Sequence, residues 1–150
     1  MKKTATITFH AAHNYGSNLQ AYALQQILLS LGCENKIINL RTHRQKDAYS
    51  VFTKRRGLKY LFKNFFHLLH YRALKKAHNR FEDFINNKLL LTREFCSCEE
   101  LTQAHLDFDC YIAGSDQIWN PIPSDFDWAY YLTFVCKGKR ISYAPSFGQL

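Results

Sequence analysis

Short runs of β-branched residues alternate along this chain with longer stripes of apolar residues at helical spacing. Residues 4–10 and 36–40 each predict a β-strand. Between them lies an apolar stripe that predicts a helix over residues 18–31 with these side chains buried: Leu24, Ile27, Leu28 and Leu31. Ser17 or Asn18 is the predicted N-cap of this helix. The order predicts a βαβ unit with parallel strands and a right-handed crossover.

The second half of the chain continues the alternation. Residues 99–105 predict a short helix, and residues 109–113 and 140–144 predict two further strands. Residues 58–85 have a helical pattern, and their apolar stripe consists of Leu58, Leu61, Phe62, Phe65, Leu68 and Leu69. The predicted fold class is therefore α/β. Because the chain stops just after a predicted strand, we expect an incomplete domain.

Composition indicates one globular domain over residues 1–150, since 47% of the residues are hydrophobic. The net charge of +8 is local, because residues 41–80 hold twelve Lys and Arg against Asp47 alone. Residues 41–57 are predicted to form a mobile basic loop, and residues 41–90 a basic helical insert. The amphipathic helix in this insert suits three partners: its own domain, which helical stripes usually face, an anionic membrane, or nucleic acid. No nucleic-acid-binding motif accompanies the charge, so we expect no nucleic acid partner.

The sequence also bears on compartment and metals. No apolar run is long enough to span a bilayer, and no apolar stretch of signal-peptide length follows Lys2 and Lys3. Five cysteines, an odd number, fit reduced thiols, and we expect a cytoplasmic protein that can contact the inner face of the membrane. Cys33 and Cys110 are predicted to be small core residues. Cys96, Cys98 and His105 supply one ligand fewer than a structural zinc site needs, so we expect no metal.

The sharpest candidate site follows the strand at residues 109–113. That strand is expected to break at Gly114 and to deliver Ser115, Asp116 and Gln117 together. Ligands of open α/β sheets bind beyond the carboxyl ends of the strands, so this run fits a binding site. An ordinary strand-to-loop corner, with Asp116 as a cap, is the alternative interpretation.

The loop after the first strand is the second candidate. It has one glycine where a dinucleotide-binding fingerprint needs three, yet a helix N-terminus behind it can receive an anion or a sugar hydroxyl. His10 and His13 could act as acid, base or hydrogen-bond partners, or only end a strand and occupy a loop. Carboxylates and aromatic rings also alternate in residues 121–131, which suits either sugar binding or packing. The members of that set are Asp125, Phe126, Asp127, Trp128, Tyr130 and Tyr131.

Three runs of the chain resemble the polysaccharide pyruvyl transferase family. Residues 9–25, FHAAHNYGSNLQAYALQ, are similar to its N-terminal motif, and residues 114–120, GSDQIWN, to its central motif. Residues 141–148, ISYAPSFG, resemble the strand and loop that follow. The order and approximate spacing of the runs agree with the family, and the basic insert is the variable part.

The resemblance implies a Rossmann-like parallel sheet that forms the N-terminal half of a glycosyltransferase-B-like fold with two domains. Such enzymes transfer a pyruvyl group from phosphoenolpyruvate, the donor substrate, and need no cofactor. The acceptor is a sugar of a cell-surface polysaccharide or its lipid-linked oligosaccharide precursor. This half is expected to face the acceptor. The basic residues that hold phosphoenolpyruvate are expected to lie mainly in the missing C-terminal domain.

The resemblance also implies roles for residues of the three runs. Asp116 is the candidate catalytic base or anchor of the acceptor hydroxyl. The candidate substrate-binding residues are His13, Asn14, Tyr15, Gly16, Ser115 and Gln117. Two other functions stay open: a sugar-nucleotide-dependent glycosyltransferase of similar architecture, and a non-catalytic fragment or interaction module.

Overall fold

The computed structural model describes residues 1–52, 57–122 and 126–148. Five strands alternate with helices along these residues. The first half contains β1 (Lys3–Ile7), α1 (Tyr15–Ser30), β2 (Glu34–Leu40), α2 (His43–Tyr49), α3 (Leu58–Leu69) and α4 (Tyr71–Lys88). The second half contains β3 (Leu91–Phe95), α5 (Cys98–Gln103), β4 (Cys110–Asp116), a 3₁₀-helix (Trp128–Tyr131) and β5 (Lys139–Pro145).

All five strands are parallel and lie in the order β3-β2-β1-β4-β5. The central strand β1 is flanked on both sides, since Thr4 pairs with Asn35 of β2 and with Cys110 of β4. This is the strand order of a Rossmann-like sheet, and it confirms the predicted α/β class. The order reverses between β1 and β4, so the crevice for a ligand lies beyond the carboxyl ends of these two strands.

Two apolar clusters cover the two faces of the sheet, as a buried parallel sheet requires. The smaller cluster packs α1 and α4 onto β2 and consists of Ala21, Ile37, Ile85 and Leu89. In the larger cluster, Leu101 of α5 and Tyr130 of the 3₁₀-helix pack with Ile38 and Tyr111 of the sheet. The loops after β1 and β4 are thus supported from both faces.

Helix α1 differs from its prediction at both its start and its buried face. It begins at Tyr15 because the Asn14 side chain caps it, so neither Ser17 nor Asn18 is the N-cap. The buried residues are Asn18, Ala21, Leu24 and Gln25. Ile27 and Leu31, predicted to be buried, are 53% and 71% exposed.

Hydrogen bonds explain why polar side chains of α1 are buried where leucine was expected. Asn18 donates from Nδ2 to the carbonyl oxygens of His10 and Ala12, at 2.7 and 3.0 Å, and so fixes the loop after β1. Gln25 donates to the Leu90 carbonyl (3.0 Å) and accepts from the Leu90 amide (2.9 Å), which ties α1 to the start of β3. These bonds offset much of the cost of burying the two amides, and Oδ1 of Asn18 has no partner within the described residues.

The basic insert is more ordered than predicted. Its first part, expected to be a loop, contains α2, and Thr42 caps this helix by accepting from the Gln45 amide. Residues 53–56 of that predicted loop lie outside the described residues. The helical region predicted at 58–85 is two helices, which meet at His70. Strand β3 was not predicted, because Thr92, Arg93 and Glu94 give it no apolar alternation.

The described side chains of the apolar stripe of α3 are exposed, contrary to the favoured interpretation that the stripe packs on its own domain. Phe62, Phe65, Phe66, Leu68 and Leu69 are each more than half exposed. The side chains of Leu58 and Leu61 lie outside the described part of the structure. Within the described residues, none of the helices combines the length and the apolar character needed to cross a bilayer.

Candidate functional site

Asp116 stands at the crevice between β1 and β4. It is the last residue of β4 and has a φ of +85°, a backbone conformation that L-residues other than glycine seldom adopt. Its Oδ2 accepts from the Ser17 hydroxyl at 2.7 Å, and its Oδ1 accepts from the Gln117 amide at 2.7 Å. The carboxylate is therefore held at a fixed position beside the first turn of α1 and keeps lone pairs for a further donor.

Ser115 is held by a closed ring of three hydrogen bonds. Its hydroxyl donates to Oε1 of Gln20 at 2.5 Å, and Nε2 of Gln20 donates to Oγ1 of Thr8 at 2.8 Å. The Thr8 hydroxyl then donates to the Ser115 carbonyl at 2.9 Å. This ring ties β4, α1 and the end of β1 together and uses the donor of Ser115 within the protein. Gln20 and Thr8 were not among the predicted site residues.

Gly114 lies inside β4, so the strand does not break there as predicted. Pairing with β5 continues from Gly114 with Tyr143 to Asp116 with Pro145. A Cβ atom on Gly114 would lie 2.0 Å from the Tyr143 carbonyl oxygen, and its φ is +129°. Glycine is therefore required for β5 to approach β4 at this point.

The loop after β5 packs onto the loop after β4. The Ser146 amide donates to the Asp116 carbonyl at 3.0 Å. Gln117 is exposed, and its Oε1 accepts from Nδ2 of Asn120 at 3.3 Å. A Cβ on Gly148 would lie 2.5 Å from that Oε1 and 2.6 Å from that Nδ2. The second and third sequence runs thus form one surface next to Asp116.

The predicted residues of the loop after β1 have separate environments. Oδ1 of Asn14 accepts from the amides of Gly16 (2.8 Å) and Ser17 (3.4 Å), which makes Asn14 the cap of α1. Tyr15 is exposed, and its ring contacts Phe81 of α4 at a centroid distance of 4.8 Å. His10 is buried, and its Nε2 lies 3.0 Å from Oδ1 of Asn39. Burial lowers the pKa of His10, which is only 1% exposed.

His13 faces the basic insert. Its Nε2 lies 2.9 Å from Oε1 of Glu82 on α4, and its ring stacks on Phe81. Arg41 donates from Nη1 to Oε2 of the same carboxylate at 2.8 Å. The hydrogen bonds from His13 and Arg41 hold the pKa of Glu82 at about 2. The structure therefore groups Asp116 with Ser115 and Gln117, and groups His13 with residues that are distant in sequence.

One possible set of metal ligands occurs in the described part of the chain. One ligand atom from each of His13, His78 and Glu82 lies within 4.8 Å of the other two. Both carboxylate oxygens of Glu82 already have partners, and one of these is the Arg41 guanidinium. Cys96, Cys98 and His105 do not form such a set among the described residues. All five cysteines are free thiols, and Cys33 and Cys110, predicted core residues, are only half-buried.

The aromatic residues after β4 form a packed cluster. Trp119 stacks on Tyr131 at a centroid distance of 5.3 Å and contacts Phe147 at 5.8 Å. Its Nε1 donates to the Tyr130 carbonyl at 3.2 Å, and Asp127 caps the 3₁₀-helix. These contacts support the packing interpretation for part of the set, and exposed Trp128 keeps the sugar-binding hypothesis open. Asp125 lies outside the described residues.

Comparison with protein-family models matches residues 14–150 to the family described as polysaccharide pyruvyl transferase. Comparison with curated proteins and with solved structures gives no significant match. The matched region contains α1, the insert and all of β4 and β5, and thus Asp116 with its partner Ser17. It covers nearly the whole chain, and the strand order agrees with the Rossmann-like parallel sheet that the sequence runs implied. The chain belongs to the polysaccharide pyruvyl transferase family.

Proposed function

We propose that this protein transfers a pyruvyl group from phosphoenolpyruvate to a sugar of a cell-surface polysaccharide or its lipid-linked precursor. In this proposal the chain is the acceptor-side half of the enzyme. The observation that carries it is the position of Asp116, whose carboxylate is held by Ser17 at the crevice between β1 and β4. Family membership supports the reaction class. A carboxylate at this crevice suits a sugar hydroxyl, which needs an acceptor for its proton.

The reaction sets the demands on the site. Protonation of the methylene carbon of phosphoenolpyruvate gives an electrophilic centre at the carbon that bears the phosphate. One sugar hydroxyl adds to this carbon, the C–O bond to phosphate breaks, and a second hydroxyl closes the ketal. Of the two hydroxyl protons, one is balanced by the proton added to carbon and the other leaves with phosphate. The site therefore needs a base for the hydroxyls, a general acid, and cations for the phosphate.

In this scheme Asp116 accepts the proton of the attacking hydroxyl or anchors that hydroxyl. Gln117 is exposed beside it and orients the acceptor, while Ser115 sets the backbone from its ring of hydrogen bonds. His13 and Tyr15 border the same edge of the sheet, and Asn14 and Gly16 shape the start of α1. The cations that hold phosphate are assigned to a second Rossmann-like half, which would close over the crevice.

We also propose that α3 rests on the inner face of an anionic membrane, where a lipid-linked acceptor is found. Its phenylalanines are exposed to solvent rather than buried on the domain. Arg72, Lys75 and Lys76 at the start of α4 are exposed as well, so basic side chains lie next to this apolar face. An apolar face flanked by cations is typical of helices that lie in a membrane interface.

Release of phosphate tests the proposed reaction. The protein as its own cells make it is incubated with phosphoenolpyruvate and the lipid-linked glycans of those cells. We expect phosphate release that requires the glycan and is lost in Asp116→Asn. The exposed carboxylate of Asp83 offers a matched control, Asp83→Asn. Nucleotide release from a sugar nucleotide instead would favour a glycosyltransferase, and release of neither would favour an interaction module.

A further inference from the structure

A second cavity lies at the same edge of the sheet as Asp116, on the other side of β1. Its volume is about 290 Å³, and the basic insert forms most of its wall. His13 borders it from the loop after β1, Arg41 from the end of β2, Gln45 from α2, and His78 and Glu82 from α4. The cavity therefore exists only because the insert folds back onto the loop after β1.

Three buried nitrogen atoms of residues in this wall are unpartnered: Nη2 of Arg41, Nε2 of Gln45 and Nδ1 of His78. The first two are obligate N–H donors. Nη2 of Arg41 and Nε2 of Gln45 are inaccessible to solvent and have no hydrogen-bond partner within the described residues. Gln45 is 3% exposed, so its amide cannot turn outward to water. Buried donors without partners destabilise a fold, and their presence indicates a group that the site is built to receive.

Arg41 is also fixed in place. Its Nη1 donates to Glu82 at 2.8 Å, and its Nε donates to Oδ1 of Asn39 at 3.2 Å. Two of the three nitrogen atoms of the guanidinium are therefore used within the protein, and Nη2 is left over in a set orientation. A donor that is preorganised in this way loses little conformational entropy when it binds an acceptor.

We propose that this cavity binds an oxyanion, a carboxylate or a phosphate group, through Arg41 and Gln45. Unused N–H donors need an acceptor, and an oxyanion offers several acceptor atoms to two donors at once. Glu82 is the opposing negative charge in the cavity, and its carboxylate pairs with the Arg41 guanidinium at 2.8 Å and contacts His13 at 2.9 Å. Lys46 adds a positive charge at the rim, where it pairs with Glu94.

A metal ion at His13, His78 and Glu82 is the competing occupant, and the observations favour the anion. Arg41 lies 2.8 Å from Glu82, so a guanidinium already occupies the position beside the carboxylate that a cation would take. Three unpartnered atoms belong to residues of this wall, and Nδ1 of His78 donates or accepts according to its tautomer. Nη2 of Arg41 and Nε2 of Gln45 can only donate, whereas a cation needs acceptors.

If the proposed function holds, the anion belongs to the acceptor. The cavity lies beyond β2 and Asp116 beyond β4, and two strand spacings amount to about 10 Å. One acceptor could then place a sugar hydroxyl at Asp116 and a uronate carboxylate or a lipid-linked phosphate in the cavity. This assignment rests on the proposed function, whereas oxyanion binding itself does not.

Isothermal titration calorimetry with inorganic phosphate and with glucuronate tests the proposal without any need for catalysis. We expect binding of at least one of them at a ratio of one per chain. Gln45→Leu, which keeps the volume and removes the donor, should weaken binding by about 10-fold or more, as should Arg41→Lys. The control Gln26→Leu, on the exposed face of α1, should leave it unchanged. Preferential binding of phosphate or of glucuronate identifies the source of the anion.

Stability gives a second readout, because Gln45→Leu removes a buried donor without a partner. We expect this variant to melt no lower than the parent in the absence of anions, while losing the stabilisation that phosphate or glucuronate gives the parent. The proposal is overturned if neither anion binds, or if binding survives in both Gln45→Leu and Arg41→Lys. It is also overturned if zinc binds one per chain and this binding is lost in His78→Ala.

Discussion

The Ser17 hydroxyl donates to Oδ2 of Asp116 across 2.7 Å, and so joins two residues that are 99 positions apart in the chain. Ser17 belongs to the first turn of α1 and Asp116 ends β4, which places this bond across the point where the strand order reverses. Removal of the hydroxyl leaves the carboxylate in place but less firmly oriented.

Ser17→Ala is therefore expected to lower turnover by about 10-fold, since a hydrogen bond to a charged group contributes about 1.5 kcal/mol or more. The melting temperature should fall by only a few degrees, because one hydrogen bond is lost and Ser17 is not the cap of α1. Phosphate release from phosphoenolpyruvate and thermal unfolding are measured on the same preparation. Ser30→Ala, at the other end of α1, is the control. Equal rates of phosphate release in Ser17→Ala and Ser30→Ala would show that Ser17 has no part in the site.

The contact between Gly114 and Tyr143 predicts a large effect on stability. Gly114→Ala would put a methyl group against backbone 2.0 Å away, and we expect the free energy of unfolding to fall by about 3 kcal/mol or more. Gly32→Ala is the matched control, since Gly32 also has a positive φ but no atom within 4 Å of the new Cβ. It should cost about 1 kcal/mol from backbone strain alone. Urea unfolding compares them, and similar losses would contradict the close approach of β5.

Glu82 predicts a dependence of stability on pH. Its carboxyl pKa is about 2 in the folded protein against an ordinary value of 4.5, so its contribution is complete above about pH 5 and is lost as the pH falls toward 2. At pH 7 we expect Glu82→Gln to be less stable by about 2 kcal/mol, and this difference should shrink by pH 3. Urea unfolding at several pH values measures it. Asp83→Asn is the control for loss of an exposed carboxylate on α4, and a constant deficit in Glu82→Gln would refute the pairing.

Two variants of Asn14 separate its structural role from its proposed binding role. Because its side chain caps α1, Asn14→Ala should cost about 1 kcal/mol of unfolding free energy, while Asn14→Ser should stay within about 0.5 kcal/mol of the parent. Both stabilities are measured by urea unfolding. The substrate-binding role assigned to Asn14 predicts in addition that Asn14→Ser loses turnover while it keeps its stability. Full turnover in Asn14→Ser would show that Asn14 only caps α1 and does not bind substrate.

Membrane contact through α3 predicts co-flotation with vesicles that contain phosphatidylglycerol, at low salt. Phe65→Ser combined with Phe66→Ser should abolish it, because both rings belong to the exposed apolar face. Leu31→Ser, an exposed apolar residue of α1, is the control. High salt should weaken flotation of the parent. Equal flotation of the parent with neutral and anionic vesicles would contradict the role of the basic residues.

The parts of the fold that could be predicted are those set by local patterns. Strand β5 and helix α5 lie close to their predicted ranges, because alternation and spacing act over a few residues. The buried face of α1 could not be predicted, because Asn18 and Gln25 are buried only through bonds to His10 and Leu90, which periodicity does not show. In the same way, Asp116 was found from its strand end, whereas its partner Ser17 requires the folded chain.

The second cavity shows this limit most clearly. His13 was selected as a candidate residue, but Glu82 lies 69 residues away in a helix whose sequence resembles any solvated basic surface. Arg41 and Gln45 likewise lie in a stretch that was predicted to be a loop. Contacts of this kind depend on how the insert folds back, and charge patterning alone carries no information on that.

The contact of the insert with the loop after β1 has a consequence for the evolution of this family. Residues 41–90 bring Arg41, Gln45, His78 and Glu82 together, whereas the first loop contributes His13. Exchange of this one segment between relatives would therefore replace most of a cavity wall in a single recombination event, with Asp116 and its strands untouched. Chimeric proteins joined at the two ends of residues 41–90 would take most of the cavity wall from one parent and the central crevice from the other.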